Sequence, residues 1–231
     1  ISRAISNSFK NELTEIIVHT GQHYDENMSS VFFDEMKIPQ PNYNLNVGSG
    51  SHGNQTARML EGLEEIFLSE KPDAVLVYGD TNSTIAGALA ATKIFIPVIH
   101  VEAGLRSYNK AMPEEINRIA CDHMSTLLFT PTNSGVENLK KEGFSIDTSR
   151  KANVNQPHVY HCGDIMYDNS VHFSTISDKK STFLKELGLV ADEFILCTVH
   201  RDSNTDVKEN LESIFSALLA IAENSELKIV L

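Results

Sequence analysis

The feature that most constrains this chain is a series of short apolar runs, each followed by a stretch of helical spacing. The runs read "EIIVHT" (15–20), "DAVLVYG" (73–79), "PVIHVE" (97–102), "TLLFT" (126–130), "FILCTVH" (194–200) and "LKIVL" (227–231). They lack the in–out alternation of a half-exposed sheet and are rich in Val, Ile and Leu, as strands covered on both faces are. Buried strands that alternate with helices need crossover connections, which predicts an α/β fold with a parallel sheet.

Helices are predicted over 54–70, 82–95, 113–125 and 131–143. In the first, Met59, Leu60, Leu63, Ile66 and Phe67 recur at three- and four-residue spacing and mark one apolar face. The last is punctuated by Pro131, Thr132 and Asn133 at its start and Gly143 at its end. Residues 145–160 are polar and weakly patterned, predicting a loop into a short edge strand. We place a domain boundary near residue 170, with a Rossmann-like domain over 1–170 and the start of a second, nucleotide-binding domain over 171–231. The chain opens in a helical pattern and closes on a strand without a crossover, so it reads as a segment of a longer protein.

Composition excludes some functions. A net charge of −12 argues against nucleic acid as a partner, because phosphate backbones require a basic surface. No apolar run reaches membrane-spanning length. The cysteines, Cys121, Cys162 and Cys197, are far apart and show neither metal-ligand spacing nor a disulfide framework. A cytoplasmic protein with no metal is the expectation.

In open α/β sheets, ligands bind beyond the carboxyl ends of the strands. There the sequence places His19, Gln22 and His23 after one run, Asp80 after the next, Glu102 after the third, and His200 with Arg201 after "FILCTV". Each has a plainer reading. Asp80 with Thr81 could cap a helix. Pro113, Glu114 and Glu115 form an ordinary helix start, and Arg118 has the spacing to pair with either glutamate within that helix. Glu102 is harder to set aside, since a carboxylate ending a buried strand must be paired or face a cleft. The glycine-bearing stretch "VGSGSHGNQT" (47–56) could cradle a phosphate, but it carries neither a P-loop lysine nor a dinucleotide fingerprint.

Taken in order, "HTGQH" (19–23), "QTARMLEGLEE" (55–65), "VYGDTNSTIAGALAA" (77–91), "HVEAGLRS" (100–107), "MPEEINR" (112–118) and "TVHR" (198–201) resemble the non-hydrolysing UDP-N-acetylglucosamine 2-epimerases. Close relatives of that family act on UDP-diacetamido-glucuronate or in UDP-N-acetylfucosamine synthesis. The resemblance implies two Rossmann-like domains of glycosyltransferase type B architecture. Against that pattern, the first strand and much of the second domain are missing, so this segment alone is expected to be inactive.

The resemblance also implies a cofactor-free inversion at C2 of a UDP-2-acetamido sugar, by elimination of UDP to a glycal and re-addition, in cell-surface polysaccharide synthesis. It assigns Asp80, Glu102, Glu114, Arg118 and His200 to catalysis, with Glu102 and Glu114 first for proton handling. His19, Gln22, His23, Asn117 and Arg201 fall to substrate binding, together with Arg106 and Glu115, which orient the loop and helix around it. A homodimer is implied for the full-length protein. One departure is Ser203 in "HRDSN", where the family commonly has glutamate. The alternatives are a hydrolysing epimerase releasing N-acetylmannosamine, a glycosyltransferase, or a nucleotide-sugar binder of the same fold.

Overall fold

The computed structural model describes residues 1–21, 33, 36, 38–190 and 193–231. The chain divides into two compact units, Ile1–Ile165 and Met166–Leu231. Among the described residues no helix is long and apolar enough to cross a membrane.

The first unit is built on a four-stranded parallel sheet. Its strands are β3 (Val75–Tyr78), β4 (Val98–Val101), β5 (Leu127–Thr130) and β6 (His158–His161), in that spatial order. A separate parallel pair joins β1 (Val18–His19) to β2 (Tyr43–Asn44). The short strand β2 has no counterpart among the apolar runs, because two residues carry no periodicity to read. The edge strand expected after the polar loop is present as β6.

Helices follow the strands. They are α1 (His52–Glu70), α2 (Asn82–Lys93), α3 (Pro113–Met124) and α4 (Asn133–Lys141). Their starts are chemically specified. The Ser51 side chain accepts from Asn54 N–H at the head of α1, and Thr132 does the same for Gly135 N–H at α4. Thr81 and Thr84 form a reciprocal capping box at α2. Capping therefore falls to Thr81 and leaves Asp80 free for another task. Helix α3 begins with Pro113 and carries Glu114 and Glu115 in its first turn.

The apolar face predicted for α1 packs as expected. Met59, Leu63 and Phe67 are buried with Val75 and Val77 of β3, Val98 of β4 and the alanines of α2. Small residues at Ala86, Ala88, Ala90 and Ala91 let α2 lie close to its neighbours. A second cluster joins Ala103, Leu128, Leu139 and Val159, with Phe144 packed against it.

Gly135 shows how closely α4 approaches the sheet end. A Cβ there would lie 2.0 Å from Thr130 Oγ1, whose side chain is fully buried and cannot retreat. Gly135→Ala is expected to destabilise the protein by roughly 1–3 kcal/mol through overpacking, read as a lower urea midpoint at unchanged slope.

The second unit, taken by itself, pairs β7 (Phe194–Leu196) with β8 (Lys228–Val230) in parallel. Around them run α5 (Ile165–Lys180, beginning at the division), α6 (Phe183–Glu186), α7 (Asp202–Thr205) and α8 (Lys208–Asn224). The crossover from β7 to β8 through α8 is the βαβ pattern expected of a parallel sheet.

Candidate active site

The site forms where β3 and β4 end. Strand β3 runs into Gly79 and Asp80, and β4 into Glu102, Ala103 and Gly104. Glu102 has φ +73, a left-handed conformation that costs a non-glycine residue about 1–2 kcal/mol. The surroundings impose it. Glu102 N–H and Ala103 N–H both donate to Phe129 C=O at 3.0 Å, and Arg118 Nη1 donates to Glu102 C=O. Such strain at a strand end is an observation that points to function. Gly79, at φ +63, makes room for it: a Cβ there would stand 3.1 Å from Glu102 Oε2.

Arg118 reaches from α3 to both turns. Its Nη2 lies 2.5 Å from Asp80 Oδ2, and its Nη1 lies 3.7 Å from Glu102 Oε2. The guanidinium is 10% exposed, while the two carboxylates are 29% and 31% exposed. One buried cation thus brackets two solvent-reaching acids. The helical spacing of Arg118 with Glu114 is not used. Glu114 is exposed in the first turn of α3, and a buried guanidinium must find its acceptors on the protein side. Arg118 is therefore a bracket between carboxylates, with both terminal nitrogens committed inside the protein. The Glu102 carboxylate accepts no hydrogen bond among the described residues, and Glu114 makes no ion pair among them.

The remaining candidates fall into separate roles. Asn117 Nδ2 donates to Asp80 C=O at 2.9 Å and lies 3.4 Å from Asn82 Oδ1. Asn82 in turn donates to Gln55 Oε1 at 2.8 Å, and Gln55 holds Gly48 C=O at 2.8 Å. The glycine stretch is thereby tied to the same edge. Glu115 is buried and accepts from Ser107 N–H at 2.8 Å, Ser107 Oγ at 3.0 Å and Tyr108 N–H at 3.0 Å. Burial raises the energy of its charge, but those bonds more than offset that and lower its pKa.

Arg106 is also turned inward, with a side chain 2% exposed that pairs with Asp122 at 2.7 Å and Glu142 at 2.6 Å. Arg106 and Glu115 were expected within the substrate-binding group, orienting the loop and helix; the Arg106 guanidinium meets Asp122 of α3 and Glu142 just after α4, and the Glu115 carboxylate holds the loop between β4 and α3. His19 ends β1, half-buried, and its buried Nδ1 has no hydrogen-bond partner among the described residues. Gln22 and His23 lie outside the described residues. His200 and Arg201 belong to the second unit, are exposed, and precede α7, where both carbonyls accept bonds from Asn204.

Two residues of this region were given no role by the reading of motifs, although one of them opens "HVEAGLRS". His100 and Asp122 are both fully buried and lie 2.7 Å apart, Nδ1 to Oδ1. His100 Nε2 faces Gly79 C=O at 2.8 Å. A carboxylate and a carbonyl only accept, so both ring nitrogens must donate and the imidazole carries a proton on each. Burial disfavours that charge. The bond to Asp122 and the adjoining Cys121 outweigh it and raise the His100 pKa to about 10. The signals were there to see: a histidine inside an apolar run, and an aspartate four residues after Arg118 on the buried side of α3.

A raised folded-state pKa sets the sign of a pH effect. The stabilisation from His100 is fully present below its unfolded value of about 6.5 and is lost as pH rises through about 10. Stability is expected to fall by up to about 1.4 kcal/mol per pH unit between those values from this group. Urea unfolding from pH 7 to 10 measures it, and His100→Gln should flatten the profile.

A family model described as UDP-N-acetylglucosamine 2-epimerase matches residues 6–231. A UDP-N-acetylglucosamine 2-epimerase homolog of Methanococcus maripaludis is 53% identical over 216 residues, covering 93% of this chain and 57% of the relative. A UDP-2,3-diacetamido-2,3-dideoxy-D-glucuronate 2-epimerase of Pseudomonas aeruginosa is 50% identical over 213 residues, covering 92% and 56%. Among solved structures, the UDP-GlcNAc 2-epimerase of Methanocaldococcus jannaschii in complex with UDP-GlcNAc and UDP superposes with a TM-score of 0.85 at 42% identity, over 99% of this chain and 59% of that one. The chain thus spans a little over half the length of the relatives it matches.

Proposed function

The chain belongs to the UDP-N-acetylglucosamine 2-epimerase family, and from that premise we propose that the intact protein inverts C2 of a UDP-2-acetamido sugar. The observation that carries this reading is the Arg118 bracket, which holds Asp80 and Glu102 side by side at the carboxyl edge of the sheet.

The chemistry explains why such a bracket is useful. The C2 hydrogen is not next to a carbonyl, so its removal yields no stabilised carbanion. Eliminating UDP across C1 and C2 avoids that difficulty and gives a glycal. Re-addition of UDP with a proton delivered to the opposite face completes the inversion. The protein must then supply a base and an acid at C2 within hydrogen-bond reach. Asp80 has one oxygen committed to Arg118 at 2.5 Å, whereas the Glu102 carboxylate stands 3.7 Å from Arg118 and neither it nor the Glu114 carboxylate accepts a hydrogen bond among the described residues. We assign proton transfer to Glu102 and Glu114, and to Asp80 with Arg118 the fixing of the local charge. His200 and Arg201, as cationic or N–H donors, suit the diphosphate leaving group. No redox cofactor is required, and a UDP-sugar is the partner.

Incubating the intact protein in heavy water with UDP-N-acetylglucosamine and, separately, UDP-2,3-diacetamido-2,3-dideoxy-D-glucuronate tests the reading. Deuterium should enter at C2 of at least one, with the epimer of the intact nucleotide sugar accumulating. Release of free N-acetylmannosamine would instead identify a hydrolysing enzyme. Absence of exchange with both sugars would remove the proposal.

A further inference from the structure

Beneath the Asp80–Arg118–Glu102 bracket lies a second layer built on two fully buried polar side chains, His100 and Asp122. Asp122, on α3, is fully buried and accepts from three directions. His100 Nδ1 donates to its Oδ1 at 2.7 Å, Gly104 N–H to its Oδ2 at 3.1 Å, and Arg106 Nη2 pairs with Oδ2 at 2.7 Å. His100, on β4, passes the connection to the other strand end through Gly79 C=O at 2.8 Å. Gly79 immediately precedes Asp80, and Gly104 follows Glu102 by two residues.

We infer that His100 and Asp122 form a buried positioning pair that holds the Asp80 turn in register with the Glu102 turn. The inference rests on the proposed epimerase reading for its catalytic consequence, but the geometry does not depend on it. Neighbouring strands fix their own backbones only as far as the ladder runs, which here ends at Tyr78 opposite Val101. Beyond it, Gly79 N–H still meets Val101 C=O at 3.0 Å, and the next tie is the imidazole ring. A rigid ring with donors at opposite ends spans from a turn carbonyl to a helix carboxylate, which no shorter or neutral side chain does in the same way. Arg106 extends the layer to Glu142, whose carboxylate lies 3.5 Å from His123 Nε2, so α4 is braced against the same aspartate. A loop at positive φ that carries a reacting carboxylate needs such support, since a displacement of about 1 Å can cost about 10²-fold in rate.

The decisive variant is His100→Asn, whose amide can still donate to Asp122 but cannot reach Gly79. In the intact protein it is expected to lower kcat for C2 deuterium exchange about 10²-fold while KM stays within about threefold. It should also shift the backbone amide resonances of Gly79 and Asp80. Unchanged kcat, or a loss carried wholly by KM, would overturn the inference. If the unmodified protein exchanges no C2 hydrogen, the epimerase reading fails by itself and the amide resonances decide the pair: unmoved Gly79 and Asp80 signals count against it. If the variant does not fold, nitrogen-15 spectra of the unmodified protein decide instead. Both His100 nitrogens should show the shifts of protonated, hydrogen-bonded donors at pH 8, and a neutral ring would refute the pair.

Discussion

Glu102→Gln in the intact protein should slow C2 hydrogen exchange about 10³-fold while leaving nucleotide-sugar binding within a few-fold. Glutamine keeps the length and planarity of the side chain and can still lie beside Arg118, 3.7 Å away in the native structure. What it cannot do is accept a proton at C2 or return one. The strained backbone at φ +73 persists, because the bonds that impose it come from Phe129 C=O and from Arg118 to the Glu102 carbonyl. The effect therefore belongs to kcat. Measuring exchange in heavy water beside UDP-sugar affinity by calorimetry separates the two, and exchange within tenfold of the native rate would remove Glu102 from proton transfer.

Asp122→Ala is expected to produce the largest loss of stability, about 3–5 kcal/mol. The carboxylate is fully buried and compensates a charged His100, the inward face of Arg106 and the Gly104 N–H. Its removal leaves the His100 ring and the Gly104 N–H desolvated with no acceptor in place and takes from Arg106 one of its two carboxylates, a far worse outcome than never having buried them. Glu142→Ala provides the contrast. That carboxylate also binds Arg106, but it is 27% exposed, so water can replace it and a loss of no more than about 1 kcal/mol is expected. Urea titrations at pH 7 should rank the two in that order. Equal losses would mean that burial is not what makes Asp122 important.

The legible part of the molecule was its local grammar. The apolar runs became parallel strands, though Val98–Val101 and Phe194–Leu196 are shorter than the runs that announced them. The difference arises because the ladder stops where Glu102 and the residues after Leu196 turn away, whereas apolar character continues. The edge rule placed Asp80 and Glu102 together correctly, since strand direction alone decides which end a residue occupies. It said nothing of β2, whose two residues pair with Val18 and His19 only because the fold brings them there.

The sequence by itself determined the apolar runs that became strands, the helices α1 to α4, and the strand ends at which Asp80 and Glu102 sit. Those properties depend on neighbours within a turn or two, so one chain read in order contains them. The tertiary structure alone decided whom each charge meets. Arg118 finds Asp80 38 positions away rather than Glu114 within its own helix, Asp122 receives Gly104 across 18 positions, and Arg106 reaches Glu142 across 36. A buried charge takes whatever acceptor the packed fold places within about 3 Å of it, and no local pattern encodes that placement.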